Sequence, residues 1–341
     1  MSQEAGSAGS VAAPAPARPG PVGAPRVEAV DVARGIALVA MAIYHFTWDL
    51  GFYRFIDLQA GIDPGWRLFA KLIAGSFLLL VGVSLVLSTR TGFRPGPYLR
   101  RLGFVGAAAL AVTAITAYTT PASFIFFGIL HCIALSSVLA LPLLRAPLWW
   151  LALVAALVAA APSVLASPAF DGPMLWWLGL APKPPLTNDY VPIFPWFAPV
   201  LAGIIAARVA VAQGWDVALS GWTPGPGARW LALAGRHSLL VYLVHQPLFF
   251  GILGTAMWLG LHPGNRAADN TPAAFVEACT ATCVKAGSDE AFCRTTCGCV
   301  SRRLGTETTG RALGGRPVGD DEARIREAAQ LCRAETLDKA P

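Results

Sequence analysis

The chain has 341 residues, 55% of them hydrophobic and 13% charged, with a formal net charge of +6. A soluble globular chain carries about 25% charged residues, so this composition excludes the two water-soluble domains that the length alone would suggest. The positive surplus is not a nucleic-acid signature, because most of the arginines stand in short loops between apolar runs, where they set membrane orientation.

In chain order, residues 1–25 are rich in Ala, Pro, Gly and Ser and lack the apolar stretch of a cleavable signal peptide. They are expected to be a disordered lead-in. A helix that crosses ~30 Å of hydrocarbon needs about 20 apolar residues. Seven stretches answer that description: 30–48, 66–88, 101–119, 122–144, 147–166, 192–212 and 238–260. Thr120-Pro121 and Ala161-Pro162 mark span ends, and Leu141-Pro142 is placed to kink the fourth span. The expected fold is all-α. It is a polytopic membrane helix bundle of about seven spans over 26–262, with a small Cys-rich helical extracytoplasmic domain over 263–341.

Orientation follows from the basic residues. Arg90, Arg94, Arg100 and Arg101 fill the loop between spans two and three, Arg145 lies between four and five, and Arg208, Arg229 and Arg236 lie between six and seven. Those loops share one side, expected to be cytoplasmic, and Arg18 and Arg26 put the N-terminus there too. Arg54, Arg67, Lys71 and Lys183 stand on the other side and weaken the asymmetry without reversing it. An odd number of spans then leaves the C-terminus outside.

The cysteines test this topology independently. Six of the seven follow the last span: Cys279, Cys283, Cys293, Cys297, Cys299 and Cys332. That density suits an oxidising compartment. In a helical hairpin, Cys279-x3-Cys283 and Cys293-x3-Cys297 each present two thiols on one face. Antiparallel pairing then gives Cys279–Cys297 and Cys283–Cys293, leaving Cys299–Cys332. Six cysteines allow 15 connectivities, and a zinc site is the competing reading. Cys132, inside a span, reads as a small packing residue.

Ionisable groups inside a span are costly and usually face a bundle interior or a wet cavity. Arg34 and His45 are eleven residues apart on the first span, which is three helical turns, so they share one face ~16 Å apart along the axis. Asp31 is one turn from Arg34 and placed to pair with it, and Asp49 is one turn from His45 and placed to fix its tautomer. His131 on the fourth span and Tyr242, His245 and Gln246 on the seventh fall at intermediate depth. The stretch from Asp189 to Trp196 would cap or re-enter the membrane from outside, or supply an interfacial aromatic belt. Taken singly, a snorkelling arginine or a packed histidine accounts for each; the set on one helical face favours function. The chain has no Gly-rich phosphate loop, Walker pattern or HExxH, nothing points to haem or a flavin, and no metal cofactor is expected.

The segment from Arg26 through Val30-Asp31-Val32-Ala33-Arg34-Gly35 to Met41 and His45 resembles the opening of the heparan-α-glucosaminide N-acetyltransferase catalytic-domain family. Phe127-Gly128-Ile129-Leu130-His131, the Asp189-Tyr190 to Pro195-Trp196 stretch and the block from Gly235 to Pro247 resemble later blocks of its bacterial members. The resemblance covers 26–260 and leaves out the Cys-rich tail. In outline that family is similar to the acyltransferase type 3 membrane enzymes, whose first span carries an Arg and a His with the spacing of Arg34-x10-His45. The resemblance implies an acyl-CoA-dependent transmembrane acyltransferase in a bacterial inner membrane. It would move an acyl group, acetyl first, from cytoplasmic acyl-CoA to a sugar or glycan acceptor.

Arg34 would then hold a phosphate of the donor. His45 would be general base or transient acyl carrier, with Asp49 orienting it. His131 and His245 would line the conduit or bind the acceptor, beside Asp31, Asp189, Trp196, Tyr242 and Gln246. The lysosomal members carry a proposed acyl-bearing His just after the first span, whereas residues 50–65 here contain none; either His45 takes that role or the bacterial chemistry differs. Partners are the bilayer, acyl-CoA and the glycan, and a homo-oligomer stays open. A proton-coupled transporter using the same His and Asp residues is the alternative, and a scaffold working through the tail is a third.

Overall fold

The structure, a computed structural model, describes residues 26–53, 55, 56, 58, 60, 61, 63–261, 271–313 and 321–337. The expected disordered lead-in, with Arg18, and Arg54 lie outside the described residues. Helix α1 runs Glu28–Phe52, α2 Pro64–Thr89, α3 Pro95–Thr119, α4 Ile129–Ala140, α5 Leu148–Val164 and α6 Ile193–Ala212. Two short helices follow, α7 Trp215–Ser220 and α8 Pro226–Arg236, then α9 Ser238–Trp258. The tail holds α10 Pro272–Lys285, α11 Glu290–Leu313 and α12 Asp321–Leu337. No strand occurs among the described residues.

Helices α1, α2, α3, α6 and α9 are each long and apolar enough to cross a membrane. The fourth and fifth expected spans are shorter: α4 has 12 residues and α5 has 17. A 12-residue helix rises only about 18 Å. Proline is the local cause. Pro121 opens a one-turn 3-10 helix, after which 124–128 run non-helical, and Pro142 opens a second 3-10 turn that ends at Arg145. The backbone that 124–128 cannot satisfy internally is satisfied from the α5–α6 connection. Thr187 Oγ1 donates to Phe124 O at 2.8 Å, and Val191 N donates to Phe127 O at 3.2 Å. Asn188 N likewise donates to Ser123 O at 2.9 Å. Helices α7 and α8 were not expected from the sequence, because the stretch 213–237 is too rich in Gly and Pro to show a long apolar period.

The described residues fall into two compact units, one within Met1–Ala42 and Leu68–Val244, the other within Ile43–Arg67 and His245–Pro341. The first is built on a core in which Leu78, Leu151, Val200, Leu201 and Ile204 are fully buried. Its loops sort to two ends. At one, Arg90 from the end of α2 pairs with Asp216 of α7, Arg208 of α6 donates to the carbonyl of Ala146, and Arg236 of α8 pairs with Glu28 of α1. At the other, the α3–α4 and α5–α6 connections hold each other through Thr187, Asn188 and Val191. Short as they are, α4 and α5 therefore link the same two ends that the longer helices link.

Two helix crossings in this unit are closed to any side chain. A Cβ on Gly235 of α8 would stand 1.9 Å from the carbonyl oxygen of Asp31, and one on Gly35 of α1 would stand 2.1 Å from that of Leu231. Gly82 of α2 and Gly203 of α6 meet Val200 O and Leu79 O in the same reciprocal way, at 2.1 and 2.0 Å. Between spanning helices in lipid, which lack a hydrophobic drive to associate, such close backbone approach adds van der Waals packing.

In the second unit the tail helices enclose a small core of Phe275, Val300, Leu304, Ala328 and Cys332. Three disulfides close it, Cys279–Cys297, Cys283–Cys293 and Cys299–Cys332. The first two make α10 and α11 an antiparallel pair, as the x3 spacings imply, and the third ties α12 to α11. Zinc is thereby displaced as a reading of these six thiols. Thr271 caps α10 by accepting from Ala274 N at 3.2 Å. The Arg303–Glu335 pair fastens α12 alongside α11.

Candidate functional site

A cavity of about 1040 Å³ opens in the first unit, lined by Arg34, Arg100, Arg101, Arg236, His237 and Tyr242 among others. Each arginine arrives on a different argument. Arg34 is one turn beyond Asp31, so the two face each other on α1, and its Nη1 donates to Asp31 Oδ1 at 2.7 Å. Its other nitrogen donates to Ser84 Oγ of α2 at 2.6 Å. Asp31 is 2% exposed and also receives Arg26 at 2.6 Å and Arg236 at 3.6 Å. Arg236 ends α8, and the Gly35–Gly235 crossing brings it within reach of Glu28 and Asp31. Arg100 and Arg101 lie in the second turn of α3; Arg100 lies 5.7 Å from the centroid of Phe104. Neither of these two has a carboxylate partner among the described residues.

The charge balance of the cavity is therefore positive, since the carboxylates of Glu28 and Asp31 face a larger set of arginines. An arginine surplus in an apolar bundle calls for an anion. Guanidinium forks suit phosphate above all. The cavity stands at the upper end of the ~300–1,000 Å³ typical of small-molecule sites, room for a large ligand.

The wall of this cavity at α4 is held from the α5–α6 connection. Asp189 Oδ2 accepts from the backbone N–H of Ile129 at 2.8 Å and so caps a helix of another segment. Its surroundings push the Asp189 carboxyl up to about 6 through burial, against the downward pull of the Ile129 N–H. Gly128 N donates to His131 Nδ1 at 3.2 Å, and His131 Nε2 lies 3.2 Å from Thr113 Oγ1. The Thr113 hydroxyl donates to Ile125 O at 2.6 Å. Thr113 can then only accept from the imidazole, which fixes His131 as the neutral Nε2–H tautomer with both ring nitrogens occupied. Tyr242 joins this wall, packed against both apolar clusters of the unit. Trp196 packs against the main one.

Replacing Asp189 by Ala is expected to cost about 0.5–2 kcal/mol, the range for a lost helix cap, and Asp189→Asn, which still accepts, is expected to recover most of it. The sign with pH follows from the raised carboxyl. Between about pH 4 and 6 the folded state holds this proton and the unfolded state releases it, so the Asp189 contribution falls as pH rises through about 6. Thermal unfolding of wild type and Asp189→Asn across that window checks it: the Asn variant loses the slope.

The second unit gathers the other candidates. His45 of α1 and His245 of α9 stand ring to ring, centroids 4.9 Å apart and nearly edge-on. His45 also meets Tyr44 edge-on at 5.4 Å, and His245 meets Phe249 at 6.0 Å. His45 makes no hydrogen bond to another described residue. Asp49 is fully buried, and the partner the structure gives it is not His45 but Gln246, whose Nε2 donates to Asp49 Oδ1 at 2.9 Å. His45, His245, Asp49 and Gln246 thus come together, while His131 belongs to the first unit with Arg34.

Sequence reasoning named Arg34 but used Arg100, Arg101 and Arg236 only as orientation signals. The signal that was available is that these arginines flank spans at the same end as Arg34. Ser84 carried no warning, since a serine in an apolar helix usually bonds back to its own carbonyls, as this one does to Leu80.

No curated protein and no solved structure matches the chain significantly. The family model described as heparan-alpha-glucosaminide N-acetyltransferase, catalytic, matches residues 26–247, which takes in both clusters and stops short of the Cys-rich tail. With well over half of its length matched, the chain belongs to the heparan-α-glucosaminide N-acetyltransferase catalytic family and is an integral membrane protein of acetyltransferase type.

Proposed function

We propose that the chain moves an acyl group, acetyl in the first instance, from cytoplasmic acyl-CoA to a sugar or glycan acceptor at or across the membrane. The observation that carries this reading is the cavity with Arg34, Arg100, Arg101 and Arg236 on its walls, a setting for the phosphates of a CoA ester. Arg34 is the anchor, because Asp31 and Ser84 hold its fork in one orientation. His45 is the general base. It takes the N–H or O–H proton of the acceptor as that nitrogen or oxygen bonds to the acyl carbon. The thioester C–S bond breaks, and the proton passes on to the departing thiolate, giving free CoA. His131, with both nitrogens engaged, serves the wall and not the chemistry.

In this reading the end carrying Arg90, Arg208 and Arg236 faces the cytoplasm, the disulfide-closed tail lies on the oxidising side, and the membrane is the bacterial inner membrane. The test is equilibrium binding of labelled acetyl-CoA to purified protein, together with free-CoA release in the presence of amino sugars and glycans. Arg34→Ala and Arg101→Ala are each expected to weaken binding about 10- to 100-fold, the scale of a lost charged hydrogen bond, and the remaining affinity to fall with added salt. Undiminished binding in both variants removes the cavity as the donor site. A transporter using the same histidines would release no free CoA.

A further inference from the structure

Arg208 of α6 donates from Nη1 to the carbonyl oxygen of Ala146, in the turn that joins α4 to α5. Arg145 precedes Ala146 in that turn and is exposed. Two arginines are thus anchored at one place, one in the turn and one bonded to it. Neither has a carboxylate partner among the described residues. The carboxylates at this end are engaged elsewhere: Asp216 with Arg90, Glu28 with Arg236, and Asp31 with Arg26 and Arg34. A guanidinium presents five N–H donors, of which the Ala146 carbonyl takes one from Arg208.

The helix that leaves this turn is apolar and uncovered along one face. Leu151, Val158 and Ala161 of α5 are buried in the core. Trp150, Leu153 and Leu157 follow the i, i+3, i+7 spacing of a single face, and they are 42%, 44% and 61% exposed. Trp149 beside them is 69% exposed. This row descends about 10 Å from the arginine turn. With 17 residues α5 rises about 25 Å, short of a ~30 Å hydrocarbon core, so headgroups come down to meet its end. Tryptophan is enriched at that level. Paired cations above and an apolar row below have the outline of one phospholipid.

We propose that Arg145 and Arg208 hold the headgroup of an anionic phospholipid of the surrounding bilayer, with an acyl chain laid along Trp150, Leu153 and Leu157. Guanidinium and phosphate pair through charge-assisted hydrogen bonds. Charge selects the lipid. A zwitterionic headgroup brings its own cation toward two arginines, whereas an anionic one brings none. Near a membrane surface each Lys or Arg favours anionic lipid about fivefold. The proposal requires only that the chain lies in a bilayer. It is independent of acyl transfer, and its residues are not among those lining the arginine cavity.

The experiment uses the full chain in detergent and two probes that differ only in the headgroup, dioleoylphosphatidylglycerol and dioleoylphosphatidylcholine. Native mass spectrometry counts the lipid retained at each concentration and gives a Kd for each probe. Wild type, Arg145→Gln, Arg145→Gln with Arg208→Gln, and Arg94→Gln are compared, and thermal unfolding in phosphatidylcholine confirms that each is folded. Arg94 is the control, an exposed arginine at the head of α3. Wild type is expected to bind phosphatidylglycerol about 10- to 30-fold tighter than phosphatidylcholine. Arg145→Gln is expected to lose about fivefold of that preference, the double variant all of it, and Arg94→Gln none. Arg145 is exposed, so its variant tests the site even where Arg208→Gln, which gives up the Ala146 bond, does not fold.

Equal affinity of wild type for the two probes overturns the proposal. So does an Arg94→Gln variant that loses as much preference as Arg145→Gln, the result expected of diffuse surface charge without a site. A third arm adds glycerol 3-phosphate, the phosphate without its chains. Displacement of phosphatidylglycerol by an equal concentration of it overturns the lipid and assigns the two arginines to a soluble phosphate.

Discussion

His45→Ala is expected to lower acyl transfer about 10²- to 10⁴-fold, the span of a lost general base, with acetyl-CoA binding left within twofold. Of the histidines in the candidate site, this one has chemistry still open to it. His131 is neutral by construction, pinned between the Gly128 N–H and Thr113. His45 stands edge-on to His245 at 4.9 Å and forms no hydrogen bond to a described residue. The aromatic ring of Tyr44 at 5.4 Å limits how far it can swing. An imidazole so placed keeps a ring nitrogen free to take a proton from an acceptor. His245→Ala is the informative companion. If His45 is the base, the loss in His245→Ala is the smaller of the two. The assignment fails if His45→Ala retains full transfer, and the bet then passes to His245.

Gly235→Ala is expected to destabilise the bundle by about 1–3 kcal/mol or more, the cost of overpacking a site with no slack. It should also weaken acetyl-CoA binding by an order of magnitude or more. The new methyl would sit 1.9 Å from the carbonyl oxygen of Asp31 and 3.0 Å from the backbone nitrogen of Gly35. These are backbone atoms of a helix, so α1 and α8 must part for it to fit. Parting them draws Arg236 away from Glu28 and Asp31, and with it one wall of the arginine cavity. Gly227 lies on the same helix with nothing within 4 Å of its own Cβ position, and Gly227→Ala serves as the neutral control. Thermal unfolding and donor binding of the two variants separate the claims: a Gly235→Ala protein as stable as Gly227→Ala means that the crossing is not tight.

How much of this was legible in the sequence depends on the length scale of the signal. Long apolar periods gave α1, α2, α3, α6 and α9 within a few residues at most ends. The x3 cysteine spacings gave the disulfide pairs because only one antiparallel register satisfies both. The fourth span was read too long, since hydropathy cannot see that Pro121 and Gly128 leave 124–128 to be satisfied by a distant segment. Within the candidate sites, residues one helical turn apart were readable, as Asp31 with Arg34 is. Partners brought from elsewhere in the chain were not. The hydrogen bond from Gln246 to Asp49 joins residues 197 positions apart, and Ser84 lies 50 from Arg34. Nor does one sequence reveal which of its many glycines mark a crossing, because Gly235 and Gly227 look alike until a second helix is laid across one of them.

The sulfur bridges of the tail carry a consequence for biogenesis. A core made of Phe275, Val300, Leu304 and Ala328 is too small to hold three helices by burial alone, so completion of the tail waits on oxidation. Held in a reducing compartment, α10, α11 and α12 would be unlinked helices, open to proteolysis.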